Sequence, residues 1–264
     1  MNNRIVIIPT YNEIENITAI IEKVLDLKPH FNVLIVDDGS PDGTANAVKL
    51  AQKENPSRIY LIERKGKMGL GTAYIAGFKW SIENNYDFIF EMDADFSHNP
   101  EDLVKLKSAC IDGSDLAIGS RYIKGVNVVN WPMSRVLMSY FASVYVRLIT
   151  RINIQDATAG FKCYRRIVLE TIPLQKIKFI GYAFQIEMKF ASWKLGFKIA
   201  EVPITFIDRQ LGESKMNKGI VKEGILGVLK LRWQSLFKNY RKKVKNTVYN
   251  DTVNFDQQVA LEQK

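Results

Sequence analysis

The chain has 264 residues, of which 47% are hydrophobic and 25% are charged, as in an ordinary globular protein long enough for one large domain. Its formal charge is +9, from 37 lysines and arginines against 28 aspartates and glutamates. This excess favours an anionic partner but does not choose among nucleic acid, anionic lipid and a phosphorylated substrate. No run reaches the roughly 18 apolar residues that span a bilayer, so we predict a protein that does not cross the membrane.

Cysteine and histidine are scarce. Cys110 and Cys163 form no C-x-x-C pair and lie among apolar residues, so we predict two reduced, structural cysteines in a cytoplasmic protein. His30 and His98 are too few and too far apart for a zinc site or a hydrolytic triad. No G-x-S-x-G motif is present, which argues against serine hydrolysis.

In the first half of the chain, short apolar runs alternate with helical patterns. The predicted strands are residues 5–8, 33–36, 59–62, 88–92 and 116–119, and the predicted helices are residues 16–27, 44–54, 70–84 and 100–110. This alternation predicts an α/β fold with a mostly parallel sheet flanked by helices. Such sheets place their sites at the C-terminal ends of the strands.

The second half has a different pattern. It contains a long apolar segment at 131–152, a strand at 159–164, a helix at 183–195, an edge strand at 199–206 that holds Pro203, and a basic amphipathic helix at 220–244. Residues 246–264 lack strong periodicity and are predicted to be a loosely held tail. We therefore expect a single domain over residues 1–245.

Asp93 and Asp95 follow the fourth strand and are the most informative residues of the chain. Positions i and i+2 share a face in extended chain, so the two carboxylates can converge. Two carboxylates so near each other repel unless a cation neutralises their charge. Oxygen ligands suit Mg²⁺ or Mn²⁺. A solvated strand-end turn is the alternative, but polar residues also follow the first, second and fifth strands on the same sheet edge.

Two other loops allow two interpretations each. Asp37 and Asp38 can cap the helix that starts near Thr44, or Asp38 can bind the ribose or base of a nucleotide. The segment from Lys67 to Thr72 fits neither the Walker nor the dinucleotide template. It is either a helix entry whose N–H groups face an anion or a structural turn.

Four cationic residues are candidate phosphate ligands: Arg121, Arg135, Arg209 and Lys215. Guanidinium groups bind phosphate with two hydrogen bonds. The polar, glycine-bearing segment 208–215 follows a strand, and such loops often close over substrates. Solvated surface charge is the alternative for each residue alone.

Together these residues resemble glycosyltransferase family 2, and within it the dolichol- or polyprenol-phosphate mannosyltransferases. The resemblance runs from about residue 4 to about residue 240. It is carried by motifs at residues 9–13, 37–44, 93–95, 119–122, 156–161 and 208–215. It implies the glycosyltransferase-A fold and an inverting transfer of mannose from GDP-mannose to a polyprenyl monophosphate.

The resemblance also implies roles for individual residues. Asp93 and Asp95 would bind Mg²⁺ or Mn²⁺, and the catalytic set would be Asp93, Asp95, Arg121 and Arg209. The implied nucleotide-sugar site consists of Pro9, Tyr11, Glu13, Val36, Asp38, Met92, Asp93, Ala94, Arg121, Arg209 and Lys215. The implied site for the acceptor phosphate consists of Arg121, Arg135, Ser214 and Lys215.

The chain departs from the family pattern at one metal-side position. Family members often have glutamine two residues after the second aspartate, where this chain has Ser97, so a third ligand is left unassigned. Many relatives also carry C-terminal transmembrane helices, and we expect none in this chain. We therefore expect a peripheral protein at the cytoplasmic face of a membrane, with interfacial helices at about 131–152 and 220–244.

Three competing functions remain at this stage. In the first, the donor is UDP-glucose or another sugar nucleotide and the lipid acceptor is the same. Alternatively, the protein is a non-catalytic adaptor at a membrane, or it binds nucleic acid. The basic residues accompany apolar ones and no nucleic-acid motif is present, so we predict no nucleic-acid partner.

Overall fold

The computed structural model describes residues 3–209 and 218–237, without the side chains of residues 218–223. The strands are β1 Arg4–Thr10, β2 Asn32–Asp37, β3 Ile59–Glu63, β4 Phe88–Glu91, β5 Leu116–Ser120, β6 Val128–Val129, β7 Lys162–Arg165, β8 Ile199–Pro203 and β9 Phe206–Ile207. The α-helices are α1 Ile17–Leu25, α2 Thr44–Glu54, α3 Leu70–Glu83, α4 Asp102–Ile111, α5 Met133–Thr150, α6 Arg166–Thr171, α7 Ala183–Leu195 and α8 Lys218–Phe237. A short 3₁₀ helix spans Leu174–Lys176.

The main sheet has seven strands in the order β3-β2-β1-β4-β7-β5-β8. All neighbours pair in parallel except β7, which runs antiparallel between β4 and β5. Ile5 to Ile8 of β1 and Val33 to Val36 of β2 are fully buried, as expected for strands covered by helices on both faces. The predicted mostly parallel sheet is therefore observed.

The structure differs from the predicted elements in the second half. The strand expected at 159–164 begins only at Lys162, and the one expected at 199–206 divides into β8 and β9. It divides because the N–H of Ile204 still donates to the Ser120 carbonyl of β5, whereas the N–H of Phe206 donates to Asn127 beside β6. Strand β8 lies at the sheet edge, as predicted, with Pro203 as its last residue.

The short β6-β9 pair was not predicted, yet it positions the site. Val129 pairs with Ile207, and the N–H of Ile207 donates to the Ser97 carbonyl at 3.2 Å. The next residue, Asp208, donates its N–H to the Val129 carbonyl at 3.1 Å. The segment that follows β9 is thus fixed beside the loop after β4.

Helices α5 and α8 pack against each other outside the sheet, and the Tyr145 hydroxyl donates to the Ile225 carbonyl at 3.0 Å. The predicted 220–244 helix is observed as far as Phe237, and residues 238–264 lie outside the described part of the chain. Among the helices the structure describes, none combines the length and apolar character needed to span a bilayer.

Candidate active site

The polar loops that follow β1, β2 and β4 meet at one edge of the sheet. The register pairs Thr10 with Asp37 and Ile7 with Glu91, so these three strands end at nearly the same level. Asp93 and Asp95 follow β4 directly. The structure therefore brings the predicted loops together, as the strand order requires.

Asp93 and Asp95 differ in their surroundings. Burial, and then the carboxylate of Asp95, raise the pKa of Asp93 to about 7. The Asp93 side chain is 42% exposed, so the repulsion between the two carboxylates is the main cause of this raised pKa. Burial also opposes ionisation of Asp95, but the polar groups of Ser97 and the positive charge of Arg209 lower the pKa of Asp95 below its usual value.

Arg209 is the cation that lies against this pair. Its Nη2 atom is 2.9 Å from Asp95 Oδ2, and the Asp95 side chain is only 7% exposed. The adjacent Asp208 accepts from Arg135 Nη1 at 2.7 Å. The loop after β9 thus connects the aspartate pair to α5, where Arg135 lies.

His98 supports the loop and is neutral. It stacks on Phe161 with ring centroids 4.8 Å apart, and the Asp93 N–H donates to its Nδ1 atom at 3.4 Å. Burial, together with the charges of Arg121 and Lys162, lowers the pKa of His98 to about 4. His98 is therefore a stacking and hydrogen-bonding residue of this loop.

Asp37 and Asp38, at the end of β2, have separate tasks, and neither caps α2. Asp37 accepts from the Thr10 hydroxyl at 2.9 Å and from the Ser40 N–H at 2.9 Å. The capping prediction was wrong because Asp42 is nearer in the chain: it accepts the Thr44 N–H at 3.0 Å. Asp38 is left facing Arg64, whose Nε lies 3.2 Å from Asp38 Oδ1.

The other described residues of the predicted nucleotide-sugar site line the same edge. Pro9, Tyr11 and Glu13 follow one another through the end of β1, and the Glu13 N–H donates to the Thr44 hydroxyl at 3.0 Å. Lys67 Nζ lies 5.0 Å from the centre of the Tyr11 ring. Three further residues are buried beneath the loops: Val36, Met92 and Ala94.

Arg121 makes its side-chain hydrogen bonds with Asp156 and Thr158. Its Nε and Nη2 atoms donate to the two carboxylate oxygens of Asp156 at 2.6 and 2.7 Å, and Nη2 also donates to the Thr158 hydroxyl at 2.9 Å. Arg121 is 4% exposed and Asp156 is fully buried. The predicted contact with phosphate stays a prediction, and the geometry gives Arg121 the additional task of holding the 156–158 segment.

Arg135 lies on the first turn of α5 with its guanidinium carbon 4.0 Å from the centre of the Trp131 ring. Its side chain is 29% exposed, so part of the guanidinium remains open. Ser214 and Lys215, predicted for the acceptor phosphate, lie outside the described residues.

Sequence reasoning missed two charged pairs beneath and beside the site. Lys162 and Glu91 are fully buried and 3.0 Å apart under the β4 loop, and the Tyr164 hydroxyl donates to Glu91 at 2.9 Å. Asp38 and Arg64 form the second pair. The signal for the pair of Lys162 and Glu91 was one charged residue within each of two otherwise apolar predicted strands, residues 159–164 and 88–92.

The residues present fit a hydrated divalent cation. Within the described residues, no group of three or more His, Cys, Asp and Glu side chains is arranged as a metal site. Mg²⁺, however, commonly uses one or two carboxylates and completes its shell with water and phosphate. The carboxylates of Asp93 and Asp95 repel each other, and the buried Ser97 Oγ has no hydrogen-bond partner among the described residues. These are features that a cation would relieve.

Comparison with known proteins agrees with this geometry. The model of the family "Glycosyl transferase family 2" matches residues 5–172. The chain is 47% identical over 234 residues to an undecaprenyl-phosphate mannosyltransferase of Micrococcus luteus, covering 87% of this chain and 96% of the relative. It is 46% identical over 224 residues to a polyprenol monophosphomannose synthase of Mycolicibacterium smegmatis, covering 85% and 84%.

The chain belongs to glycosyl transferase family 2. It is a glycosyltransferase, so the alternative of a non-catalytic protein is rejected. Its fold is similar to that of glucosyl-3-phosphoglycerate synthase from Mycobacterium tuberculosis, solved with Mn²⁺, uridine diphosphate and glucosyl-3-phosphoglycerate. The TM-score is 0.65 at 16% identity, with 88% of this chain and 80% of that chain covered. The predicted glycosyltransferase-A fold is confirmed.

Proposed function

We propose that this family 2 enzyme transfers mannose from GDP-mannose to a polyprenyl monophosphate, with inversion at the sugar carbon. The observation that carries the proposal is the identity of 46 to 47% to two enzymes named for polyprenyl-phosphate mannosylation. The site supports it, since a carboxylate pair and partly exposed guanidiniums lie at one sheet edge. The protein would act as a peripheral enzyme at the cytoplasmic face of a membrane.

On the donor side, Asp38 and Tyr11 would bind the nucleoside, and Asp93 and Asp95 would hold Mg²⁺ or Mn²⁺ beside the diphosphate. When bound, the ion would neutralise charge on the departing diphosphate. We assign the same task to Arg209, because its guanidinium lies 2.9 Å from Asp95. Bidentate guanidinium contacts fit phosphate oxygens well.

On the acceptor side, Arg135 would bind the lipid phosphate. Trp131 supports this assignment because its ring packs on Arg135, and its buried Nε1 donor has no partner among the described residues. An anionic phosphate oxygen would satisfy that donor. Arg135 is also tied through Asp208 to the segment that carries Arg209, so the two proposed phosphate sites would lie side by side.

The reaction needs no strong general base. A phosphate monoester is already an anion near neutral pH, so no proton has to leave the attacking oxygen. The state of His98 agrees with this, since burial lowers its pKa and keeps the imidazole neutral. Residues of the chain contribute mainly by positioning two anions for in-line attack.

The apolar surface of α5 and α8 would contact the lipid. Its exposed members are Met133, Leu137, Met138, Phe141, Leu148, Ile225, Leu226, Leu229, Trp233, Leu236 and Phe237. Phe141 is 60% exposed and Trp233 is 67% exposed, more than a surface facing only water favours. Arg135 lies on the same helix as Phe141, so an isoprenoid chain on this surface would lead its phosphate into the site.

Transfer to lipid tests the proposal. Purified full-length protein with Mg²⁺, radiolabelled GDP-mannose and a polyprenyl phosphate should produce a labelled, organic-extractable lipid with the β configuration. A product of retained configuration would contradict single-step attack, and no labelled lipid would contradict the proposed substrates.

A further inference from the structure

Lys189 is a fully buried lysine that the proposed mechanism does not use. It lies on α7, which is buried on every side from Ala183 to Ser192. Its Nζ atom donates to the Ala157 carbonyl at 2.8 Å and to the Ala159 carbonyl at 2.6 Å. Burying an amine is costly, so these two hydrogen bonds call for a role.

The two carbonyls belong to a buried turn, residues 156–159, between α5 and β7. The turn lies outside the helices and strands, so its buried carbonyls need donors from elsewhere in the fold. Burial, and then the charge of Lys162, hold the pKa of Lys189 well below its usual value. This favours the neutral amine, whose two N–H groups match the two carbonyls.

The same turn holds Arg121. The Asp156 carboxylate and the Thr158 hydroxyl accept from the Nε and Nη2 atoms of Arg121 at 2.6 to 2.9 Å. Among the described residues, no hydrogen bond of Arg121 uses its Nη1 atom, so the turn leaves that atom for a ligand. A shift of the turn would therefore change the direction in which Nη1 points.

Arg121 and Arg135 share one aromatic neighbour. The guanidinium carbon of Arg121 is 5.5 Å from the centre of the Trp131 ring, and that of Arg135 is 4.0 Å from the same centre. A phosphate bound by Arg135 would therefore lie beside Arg121 as well. Bidentate and paired guanidinium contacts suit phosphate oxygens.

We infer that Lys189 is a positioning residue for the acceptor phosphate, because it fixes the 156–159 turn and through it the direction of Arg121. This inference rests on the proposed function. Lys189 would touch no substrate itself. On the donor side, Asp95 is held by Arg209 and by the Ser97 N–H, and neither contact involves this turn. Donor binding should therefore not depend on Lys189.

Separate kinetics for the donor and the acceptor test this inference in the full-length chain. Lys189→Met keeps an unbranched side chain but removes both N–H donors, so kcat/KM for polyprenyl phosphate should fall roughly 10- to 100-fold. The KM for GDP-mannose should stay at the wild-type value. So should the Kd for GDP, measured by isothermal titration calorimetry with Mg²⁺. A substitution that only loosened the fold would weaken both sides of the reaction.

Arg165→Met is the matched control, because it also removes a nearly buried cation. Arg165 pairs with Asp115 at 3.2 Å. It lies beside Phe88 at the start of β4, whereas Asp93 follows the end of that strand. This variant should lose stability without a selective loss on the acceptor side. Urea unfolding of both variants would measure the stability that each has lost.

The outcomes separate this inference from the proposed function. If the wild type transfers no mannose to polyprenyl phosphate, the proposed function is wrong and the inference falls with it. If the wild type is active, an unchanged kcat/KM for polyprenyl phosphate in Lys189→Met contradicts the inference alone. An equal loss in Arg165→Met, or an equal weakening of GDP binding in Lys189→Met, also contradicts it.

A second variant decides the matter should Lys189→Met not fold. The amide of Lys189→Gln ends one bond short of the lysine Nζ, so it keeps N–H donors but should not reach both carbonyls. We expect the same selective loss for polyprenyl phosphate in this variant. Wild-type kinetics in Lys189→Gln would overturn the positioning role.

Discussion

The Arg209 guanidinium lies 2.9 Å from the Asp95 carboxylate, at the position where the proposed cation would be bound. A positive side chain thus already neutralises one of the two carboxylates. Arg209 also follows the fixed residues Ile207 and Asp208, whose N–H groups donate to the carbonyls of Ser97 and Val129. Loading of a metal ion and release of Arg209 toward the diphosphate are therefore expected to be linked.

Substituting Arg209 tests that link without any turnover. Arg209→Met removes the competing cation, so Mn²⁺ alone should bind the chain several-fold more tightly, as measured by electron paramagnetic resonance titration. Arg166→Met is the matched control, because it breaks a partly exposed pair with Asp87 in another part of the chain. Unchanged or weaker Mn²⁺ binding in Arg209→Met would show that the arginine does not occupy the cation's position.

Asp95→Asn should reduce transfer strongly. The substitution keeps the size of the side chain but removes one negative charge, so we expect kcat to fall by roughly 100-fold or more. The control is Asp112→Asn, which removes the charge of an exposed aspartate after α4. Steady-state kinetics in which both variants lose activity to the same small extent would exclude Asp95 from the site.

Asp156 is expected to stabilise the fold through Arg121. Asp156→Asn leaves the buried Arg121 guanidinium without its ion-pair partner, so the free energy of unfolding should fall by about 3–5 kcal/mol. Asp87→Asn breaks the partly exposed pair with Arg166 and should cost at most about 1 kcal/mol. Urea denaturation giving equal losses for the two variants would refute the difference.

The same pair predicts a pH dependence of stability. Burial opposes ionisation of Asp156, but the charge of Arg121 outweighs it and lowers the pKa of Asp156 in the folded protein. The contribution of Asp156 is therefore complete above the pKa of about 3.9 in the unfolded chain. It is lost as the pH falls through the folded-state value. Urea titrations should show the gap between wild type and Asp156→Asn closing in acid, and a gap that widens there would be contrary evidence.

Membrane binding should depend on the apolar surface of α5 and α8. Phe141→Glu with Leu148→Glu places charge at side chains that are 60% and 74% exposed, so folding should be retained while co-sedimentation with anionic vesicles is lost. The control is Leu50→Glu, at a 62% exposed leucine of α2. Equal vesicle binding by the double variant and the control would show that this surface does not mediate membrane binding.

The sequence predicts the sheet well and the pairing of charges poorly. The apolar runs of β1 and β2 are local patterns, and the positions of Asp93 and Asp95 at a strand end follow from them. The bond between Arg121 and Asp156 could not be predicted, because it joins two loops on different sides of α5. The contact of Asp42 with the Thr44 N–H is a local one. It was missed because Asp37 and Asp38 carry the same carboxylate a few residues earlier.

The resemblance to the family supplied roles that spacing alone did not. The D-x-D pattern predicts a cation site, but nothing local to it identifies a sugar or a lipid. The same holds for β6 and β9, which are two residues each and too short to leave a periodic signal. Yet these strands place Arg209 next to Asp95.

The most direct measurement is the rate of sugar transfer to polyprenyl phosphate from GDP-mannose and from UDP-glucose, under the same conditions and with Asp95→Asn as the blank. We predict labelled lipid with GDP-mannose, little or none with UDP-glucose, and loss of the product in the blank. Labelled lipid with UDP-glucose and none with GDP-mannose would contradict it.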